Sequence, residues 1–392
     1  MDYSAFVNSP TGRLVTTQDG HYAFAPSIPS QALLWDDALV SALSRADIAL
    51  GTLAGLGENL PNPHLLVHPF IRREAVLSSR IEGTLSSLSD LLAYEARGTG
   101  PQEDSREVSN YVRALEHGLA RLSELPTSLR LIRELHGILM DGVRGGGARP
   151  GEFRDVQNWI GSPGSSIEEA VYVPPPVSQM LTCLEEFERF IHRASGLPSL
   201  VHVAMGHWFF EAIHPFVDGN GRLGRLLITL RLCERGILTR PLLYLSAFFE
   251  ANRPEYYDLL LGVSQRGEWR EWLLYFLRGV ATQSDDAVGR SRMLLGIHRD
   301  YVRRAADERF PPSSTRLVEL VFMRPVLNIK MAKEYLGVSY PAASKSITVL
   351  ERAGMLVEIS GGQRNRLYRA PEIMTVLEME TVPGVPGLEE SA

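Results

Sequence analysis

Positions 214–225 read His-Pro-Phe-Val-Asp-Gly-Asn-Gly-Arg-Leu-Gly-Arg, and they constrain the chain more than any other stretch. Pro215 directly follows His214, so a helix arriving there has to stop: proline lacks an N–H and disfavours helical geometry in the residue before it. Gly219, Asn220 and Gly221 accept backbone angles closed to most residues. An apolar run with helical spacing then opens at Leu223. The expected local fold is helix, tight loop, helix, with the loop amides at the start of the second helix. Free N–H groups and the helix dipole both favour an anion there. Arg222 and Arg225 add the fork geometry that suits phosphate oxygens.

A chain of 392 residues predicts two or three domains. The net charge of −6 excludes a molecule that attracts nucleic acid as a whole, although a local basic patch remains open. Cys183 and Cys233 are the only cysteines, which excludes a disulfide framework and a cysteine-rich zinc site. The start shows no basic-then-apolar signal pattern, and no uninterrupted apolar run is long enough to span a bilayer. The expectation is a cytoplasmic protein without a membrane partner.

Residues 1–30 are rich in Ser, Pro, Gly and Thr and read as an irregular arm. Helical spacing predicts helices over 31–53, 66–82, 106–122, 128–139, 177–194, 200–213, 223–235, 254–265 and 269–304. A further helix capped by Thr84 runs towards Ala96, and 59–63, 98–105 and 142–147 read as breaks or loops. Residues 150–176 differ: two short β-prone runs flank a Gly/Ser/Pro turn at 161–166, which predicts a hairpin. Residues 310–314 read as a linker. Beyond it, helices over 328–336 and 340–353 flank a glycine turn, and a strand pair over 356–368 surrounds Gly361-Gly362. That order is a winged helix-turn-helix. From Glu378 onward the chain reads as disordered.

Several chemistries compete for 214–225. His207, Glu211 and His214 have metal-helix spacing, but a ferritin-like site needs a second Glu-x-x-His, which is missing. A calcium loop opening at Asp218 would need Glu where Thr229 stands. A P-loop would need Gly-x-x-x-x-Gly-Lys-Ser/Thr. A capped turn with a solvent-facing histidine accounts for each residue singly, not for the combination. A base, a carboxylate, an anion nest and two arginines point to nucleotide phosphate chemistry. The carboxylate can hold Mg²⁺ bridging phosphates, and the histidine can take a proton near neutral pH.

The run resembles the signature of the Fic family, His-x-Phe-x-Asp/Glu-Gly-Asn-Gly-Arg-x-x-Arg, at every defining position. The resemblance extends from about Ala32 to Ala281. It includes Pro-Gly-Glu-Phe-Arg-Asp-Val-Gln-Asn-Trp at 150–159 and Tyr-Val-Pro-Pro-Pro at 172–176, which resemble the family's flap hairpin. It implies a mainly α protein: a Fic-type helical core with a small β-hairpin flap, followed here by the C-terminal winged helix-turn-helix domain. The expected boundaries are 1–105 for an N-terminal helical region carrying an inhibitory helix, 106–305 for the core with the flap at about 153–174, 313–372 for the winged module and 373–392 for the tail.

By the same resemblance the protein transfers AMP from ATP, with Mg²⁺, to a Ser, Thr or Tyr hydroxyl of a target protein or of itself. His214 would be the base, Phe216 a core anchor of the loop and Asp218 the Mg²⁺ ligand. Gly219, Asn220 and Gly221 would cradle phosphate, with Gly224 completing the nucleotide loop. Arg222 would contact the phosphates and Arg225 the γ-phosphate. Tyr256 and Tyr257 would flank adenine or pack their helix. Val156, Trp159, Ile160, Val171 and Tyr172 would dock an extended target by strand addition.

Ser78, Glu82 and Gly83 fit the end of a helix with a glycine stop. Glu82 sits where the helix dipole disfavours a carboxylate by roughly 0.3–1 kcal/mol, which suggests a partner elsewhere. The stretch resembles the family's inhibitory motif Ser/Thr-x-x-x-Glu-Gly/Asn, which implies that Glu82 pairs with Arg225 and displaces the γ-phosphate. In the C-terminal module, residues 315–370 hold nine Lys/Arg against four Glu. Tyr340, Ser344, Lys345 and Thr348 on the second helix and Arg364 and Arg366 on the wing suit DNA, while protein contact or dimerisation is the other reading. Removal of AMP at the same loop and a nucleotide-sensing transcription regulator are the rival functions.

Overall fold

The computed structural model describes residues 1–30, 33–60, 62–98, 103–143, 149–162, 164–362 and 364–380. The acidic tail from 381, parts of the loops expected at 98–105 and 142–147, and the start of the first expected helix lie outside the described residues. The described chain is mainly helical and forms two compact units. One comprises 1–50, 113–237 and 245–281; the other comprises 51–112, 238–244 and 282–392. These units cut across the three segments expected from the sequence.

In the first unit, β1 (Gly12–Thr16) and β2 (Tyr22–Pro26) pair antiparallel in the register Gly12 to Pro26. An irregular arm was expected there. Turn-formers dominate the composition, but Gly20, at φ 86°, closes a tight connection between two short runs, and β2 buries Ala23, Phe24 and Ala25. Helix α1 (Asp37–Glu58) begins in this unit and ends in the other. By length and mean hydropathy (1.3) it passes as a bilayer-spanning helix, with 28% of its apolar window buried. The sequence reading, which looked for an uninterrupted apolar run, passed over it.

Helices α2 (His64–Ile81) and α3 (Leu88–Arg97) belong to the second unit. Ser87, not Thr84, caps α3: its side chain accepts from the Asp90 amide, and the Asp90 carboxylate accepts from the Ser87 amide. Helix α4 (Glu103–Arg121) crosses into the first unit, where α5 (Leu129–Leu139), α6 (Val177–His192), α7 (Ser199–Ile213) and α8 (Asn220–Glu234) follow. α7 is buried almost all round through Trp208, Phe209 and Phe210, so it has no polar face and serves as the central rod. Among the described residues, the expected hairpin at about 153–174 shows one antiparallel bridge, Ile160 to Tyr172. The carbonyls of Val156, Pro174 and Pro175 accept from the side chains of Arg154 and Gln157 rather than from a partner strand. Three successive prolines at 174–176 remove donors as well.

Helices α9 (Ser246–Ala251) and α10 (Arg253–Arg266) complete the first unit together with the start of α11 (Trp269–Asp307). In the second unit the expected linker is instead the start of α12 (Pro312–Met323), because proline fits the first helical turn. β3 (Val326–Asn328), α13 (Ile329–Leu336), α14 (Tyr340–Arg352), β4 (Val357–Glu358), β5 (Leu367–Arg369) and α15 (Pro371–Glu378) follow. Gly337, at φ 68°, ends α13, and the strands form an antiparallel sheet in the order β3-β5-β4.

Candidate active site

His214 is the C-cap of α7, in the left-handed region at φ 48° and ψ 60°. Its amide still donates to the Phe210 carbonyl at 3.1 Å. A β-carbon makes that conformation costly, so surrounding bonds have to hold it. Arg154 supplies them: its Nε donates to the His214 carbonyl at 3.1 Å, and its amide donates to the Pro215 carbonyl at 2.9 Å. Asn158 Nδ2 donates to the carbonyls of His214 (3.2 Å) and Phe216 (2.9 Å). Arg154 is 2% exposed, and burial pulls its guanidinium down to about 10.

The loop is closed by its own asparagine. Asn220 Oδ1 accepts from the Phe216 amide at 2.9 Å, and its Nδ2 donates to the Phe216 carbonyl at 2.8 Å. That pair of hydrogen bonds starts α8 at Asn220, three residues before the apolar spacing suggested. The Asn220 side chain is therefore a staple of the loop, while its amide stays at the helix start. Gly219 caps α8 at φ 79°, and a β-carbon on it would come within 2.8 Å of Met140 Sδ. The amides of Asn220, Gly221 and Arg222 precede the first bond within the helix, from the Leu223 amide to the Gly219 carbonyl, and so stand at a helix start, where negative charge is favoured. Phe216 is fully buried and stacks on His136 at 3.7 Å, as an anchor should.

Asp218 is half exposed. Its carboxylate accepts from the Gly219 amide at 2.5 Å and lies 3.6 Å from Arg222 Nη2. Among the described residues no group of three His, Cys, Asp or Glu side chains converges as a metal cage. A single carboxylate beside a helix start suits Mg²⁺ that takes its other ligands from phosphates and water, so the donor set fits that ion and not a structural metal.

Arg222 and Arg225 are 4% and 2% exposed. Arg225 hydrogen-bonds the Tyr256 hydroxyl, and Tyr256 in turn bonds His207 Nε2 at 2.8 Å. His207 Nδ1 lies 3.2 Å from the Gly224 carbonyl. A carbonyl only accepts, so Nδ1 carries the proton and Nε2 receives the tyrosine's. Burial, with the Arg225 charge second, pushes His207 down to about 3 and keeps it neutral. Tyr256 is thus a buried packing residue that tethers Arg225, while its neighbour Tyr257 is 40% exposed with Arg253 over its ring at 5.7 Å. Gly224 permits a close approach: a β-carbon there would lie 2.1 Å from Glu211 Oε1.

On the 150–176 segment, Val156, Trp159, Ile160 and Val171 are exposed. Tyr172 is not: it is 5% exposed and its hydroxyl donates to the Ala212 carbonyl at 2.7 Å, so it fastens the segment to α7 instead of facing a partner. In the second unit, the Thr84 amide donates to the Ser79 carbonyl and the Gly83 amide to the Arg80 carbonyl, which is a Schellman end. Gly83 has φ 95°, Ser78 is fully buried and Glu82 is exposed. On α14, Tyr340 and Lys345 are exposed and Ser344 and Thr348 half-buried, and Arg364 and Arg366 are exposed between β4 and β5.

Residue reading missed His136, Arg154 and Asn158 as parts of this site. Arg154 and Asn158 lie in a stretch singled out for its strand pattern, and two polar side chains among β-prone residues were the available signal. His136 gave none, because a histidine on the apolar side of a helix looks like any core histidine.

Residues 40–120 match the Fic/DOC family N-terminal profile, and residues 126–232 match the Fic/DOC family profile. Over 120 residues the chain is 30% identical to the protein adenylyltransferase Fic of Drosophila grimshawi and 32% identical to that of Drosophila virilis. Each match covers 29% of this chain and 22% of the relative, so the chain spans about a fifth of the length of these curated relatives. A Fic family protein from Desulfovibrio desulfuricans G20 superposes with a TM-score of 0.56 at 18% identity, over 87% of this chain and 98% of that one. Fic-1 from C. elegans (residues 134–508) superposes with a TM-score of 0.50 at 21% identity, over 65% and 74%. These two likenesses concern the fold.

Proposed function

From the premise that this chain is a Fic/DOC family protein, distantly homologous to Fic protein adenylyltransferases, we propose that it transfers AMP from ATP to a protein hydroxyl. The observation that carries this reading is the convergence of Arg154, Asn158 and His136 on the main chain of residues 214–218. Two separate segments hold a left-handed histidine and a carboxylate beside a helix start, and positioning of this kind is most of what phosphoryl-type transfer asks of a protein.

His214 takes the proton of the target hydroxyl. The hydroxyl oxygen attacks the α-phosphorus, and the bond to pyrophosphate breaks. Asp218 would hold Mg²⁺, which would supply charge neutralisation at the phosphates. The amides that open α8, with Arg222, receive phosphate oxygens, and Arg225, steadied by Tyr256, meets the γ-phosphate. Exposed Val156, Trp159, Ile160 and Val171 offer an edge for an extended target, either another protein or the chain itself. Glu82 restrains the reaction, as the resemblance of Ser78, Glu82 and Gly83 to the family's inhibitory motif implies.

The test is mass spectrometry of Glu82→Gly protein incubated with ATP and Mg²⁺. An AMP adduct that disappears in Glu82→Gly/His214→Ala supports the reading. Release of AMP from a modified target, with no adduct formed, sinks it in favour of AMP removal.

A second reading concerns the C-terminal segment. The α13–α14 pair, with β3 before it and β4 and β5 after it in one sheet, supports a winged helix, and its exposed Tyr340, Lys345, Arg364 and Arg366 suit DNA phosphates and base edges. A gel shift that is unchanged by Arg364→Ala/Arg366→Ala would argue for a protein-contact module instead.

A further inference from the structure

His136 lies on α5, outside the 214–225 stretch, yet its imidazole bridges that loop and the segment that begins at 149. The Gly151 amide donates to Nδ1 at 2.9 Å. An amide only donates, so Nδ1 is the acceptor and the ring proton sits on Nε2. Nε2 in turn lies 3.0 Å from the Asp218 carbonyl and donates to it. The ring plane is set by Phe216, stacked at 3.7 Å and 11°. At the C-cap of α5, Met140 Sδ lies 3.8 Å from Arg222 Nη2 and close to Gly219. One face of α5 is thus the floor under the turn that presents the Asp218 carboxylate. The His136 side chain is fully buried, so losing the partner of either ring nitrogen is costly.

We infer that His136 is a positioning residue for the divalent cation: through the Asp218 carbonyl it fixes where the Asp218 carboxylate stands, and through the Gly151 amide it ties that position to the root of the 150–176 segment. The inference rests on the nucleotide-site reading above. It concerns geometry and hydrogen bonding, with His136 touching neither ATP nor metal.

The experiment measures equilibrium binding of Mn²⁺ in the presence of a non-hydrolysable ATP analogue. The parent is the 392-residue chain carrying Glu82→Gly, and free Mn²⁺ is read by electron paramagnetic resonance. His136→Phe keeps the stack on Phe216 and loses both hydrogen bonds. It is expected to weaken Mn²⁺ binding about 10- to 100-fold, the usual effect of removing a group that orients a metal ligand. His136→Gln, which can still donate to the Asp218 carbonyl, should recover most of the affinity. Thermal unfolding of both variants controls for folding. Unchanged Mn²⁺ affinity in His136→Phe overturns the inference, and so does equal weakening in the Phe and Gln variants, which would mean that only packing matters. A parent that binds no Mn²⁺–nucleotide overturns the inference together with its premise. A parent that binds but transfers no AMP sinks the transfer reading alone and leaves His136 to be judged by the binding data.

Discussion

The loop at 214–225 and the end of α2 at 78–83 both follow a helix with a residue in the left-handed region, and they are held in opposite ways. At the end of α2, Gly83 takes φ 95° as glycine can, and two main-chain bonds to Ser79 and Arg80 complete the turn. At the end of α7, a histidine takes φ 48°, and Arg154 and Asn158 hold its carbonyl from another segment. The contrast teaches where to look for chemistry. A helix end that its own backbone explains is uninformative, while one fastened by buried side chains from elsewhere has been shaped for a task. By that measure the loop declares itself, and Glu82 does not; its role rests on resemblance.

The sharpest break between the two regions is expected in catalysis. His214→Ala should lower AMP transfer by about 10²- to 10⁴-fold, the usual worth of a general base, in a labelled-ATP assay. Glu82→Gly should move the same assay the other way, by about 5- to 150-fold, the range of a coupling of 1–3 kcal/mol. Equal labelling by Glu82→Gly and the unmodified chain would reduce the end of α2 to a cap and nothing more.

Stability should separate the regions next. Asn220→Ala removes both bonds that staple Phe216 and should cost about 2–3 kcal/mol in urea unfolding. Gly83→Ala forces a β-carbon into the left-handed region and should cost only about 1–2 kcal/mol. Equal losses would undo the distinction between a stapled loop and a self-sufficient turn.

The smallest effect is a slope with pH. His207 and His202 are held down to about 3 and about 4, chiefly by burial. Their folded values lie below the ordinary 6.5, so the unfolded chain takes up protons first. Stability present above about pH 6.5 is lost as pH falls towards 4, by at most about 1.4 kcal/mol per pH unit for each histidine. Urea midpoints at pH 7.5 and pH 5 test this, and a flat profile would mean that the His207–Tyr256–Arg225 network does not hold in solution.

Much of this was legible in advance where the physics is local. Pro215 ended α7 where expected, and the amphipathic spacing of α5, α6 and α10 brought their boundaries within a few residues. Local rules failed where a distant partner decided the outcome. Turn-rich residues formed β1 and β2 because apolar positions on β2 found a core. The β-prone run at 153–174 stayed mostly unpaired because Arg154 and Gln157 took its carbonyls. Tyr256, for which adenine contact and helix packing were both open, and Tyr172, read as target-facing, are buried with their hydroxyls bonded to His207 and to the Ala212 carbonyl.

The sequence by itself determined the chemistry available at 214–225: an imidazole, a carboxylate, permissive glycines and two guanidinium groups within one helix–loop–helix. Spacing along twelve positions suffices for that, because the loop's turn and the helix start are set by neighbouring residues. Only the tertiary structure decided what holds those groups in place. His136, Arg154 and Asn158 reach the loop from 56 to 82 positions away in the chain, and such contacts leave no periodic trace. Burial makes each of those bonds strong and each vacancy costly, so the surroundings of the loop determine which of its possible conformations persists.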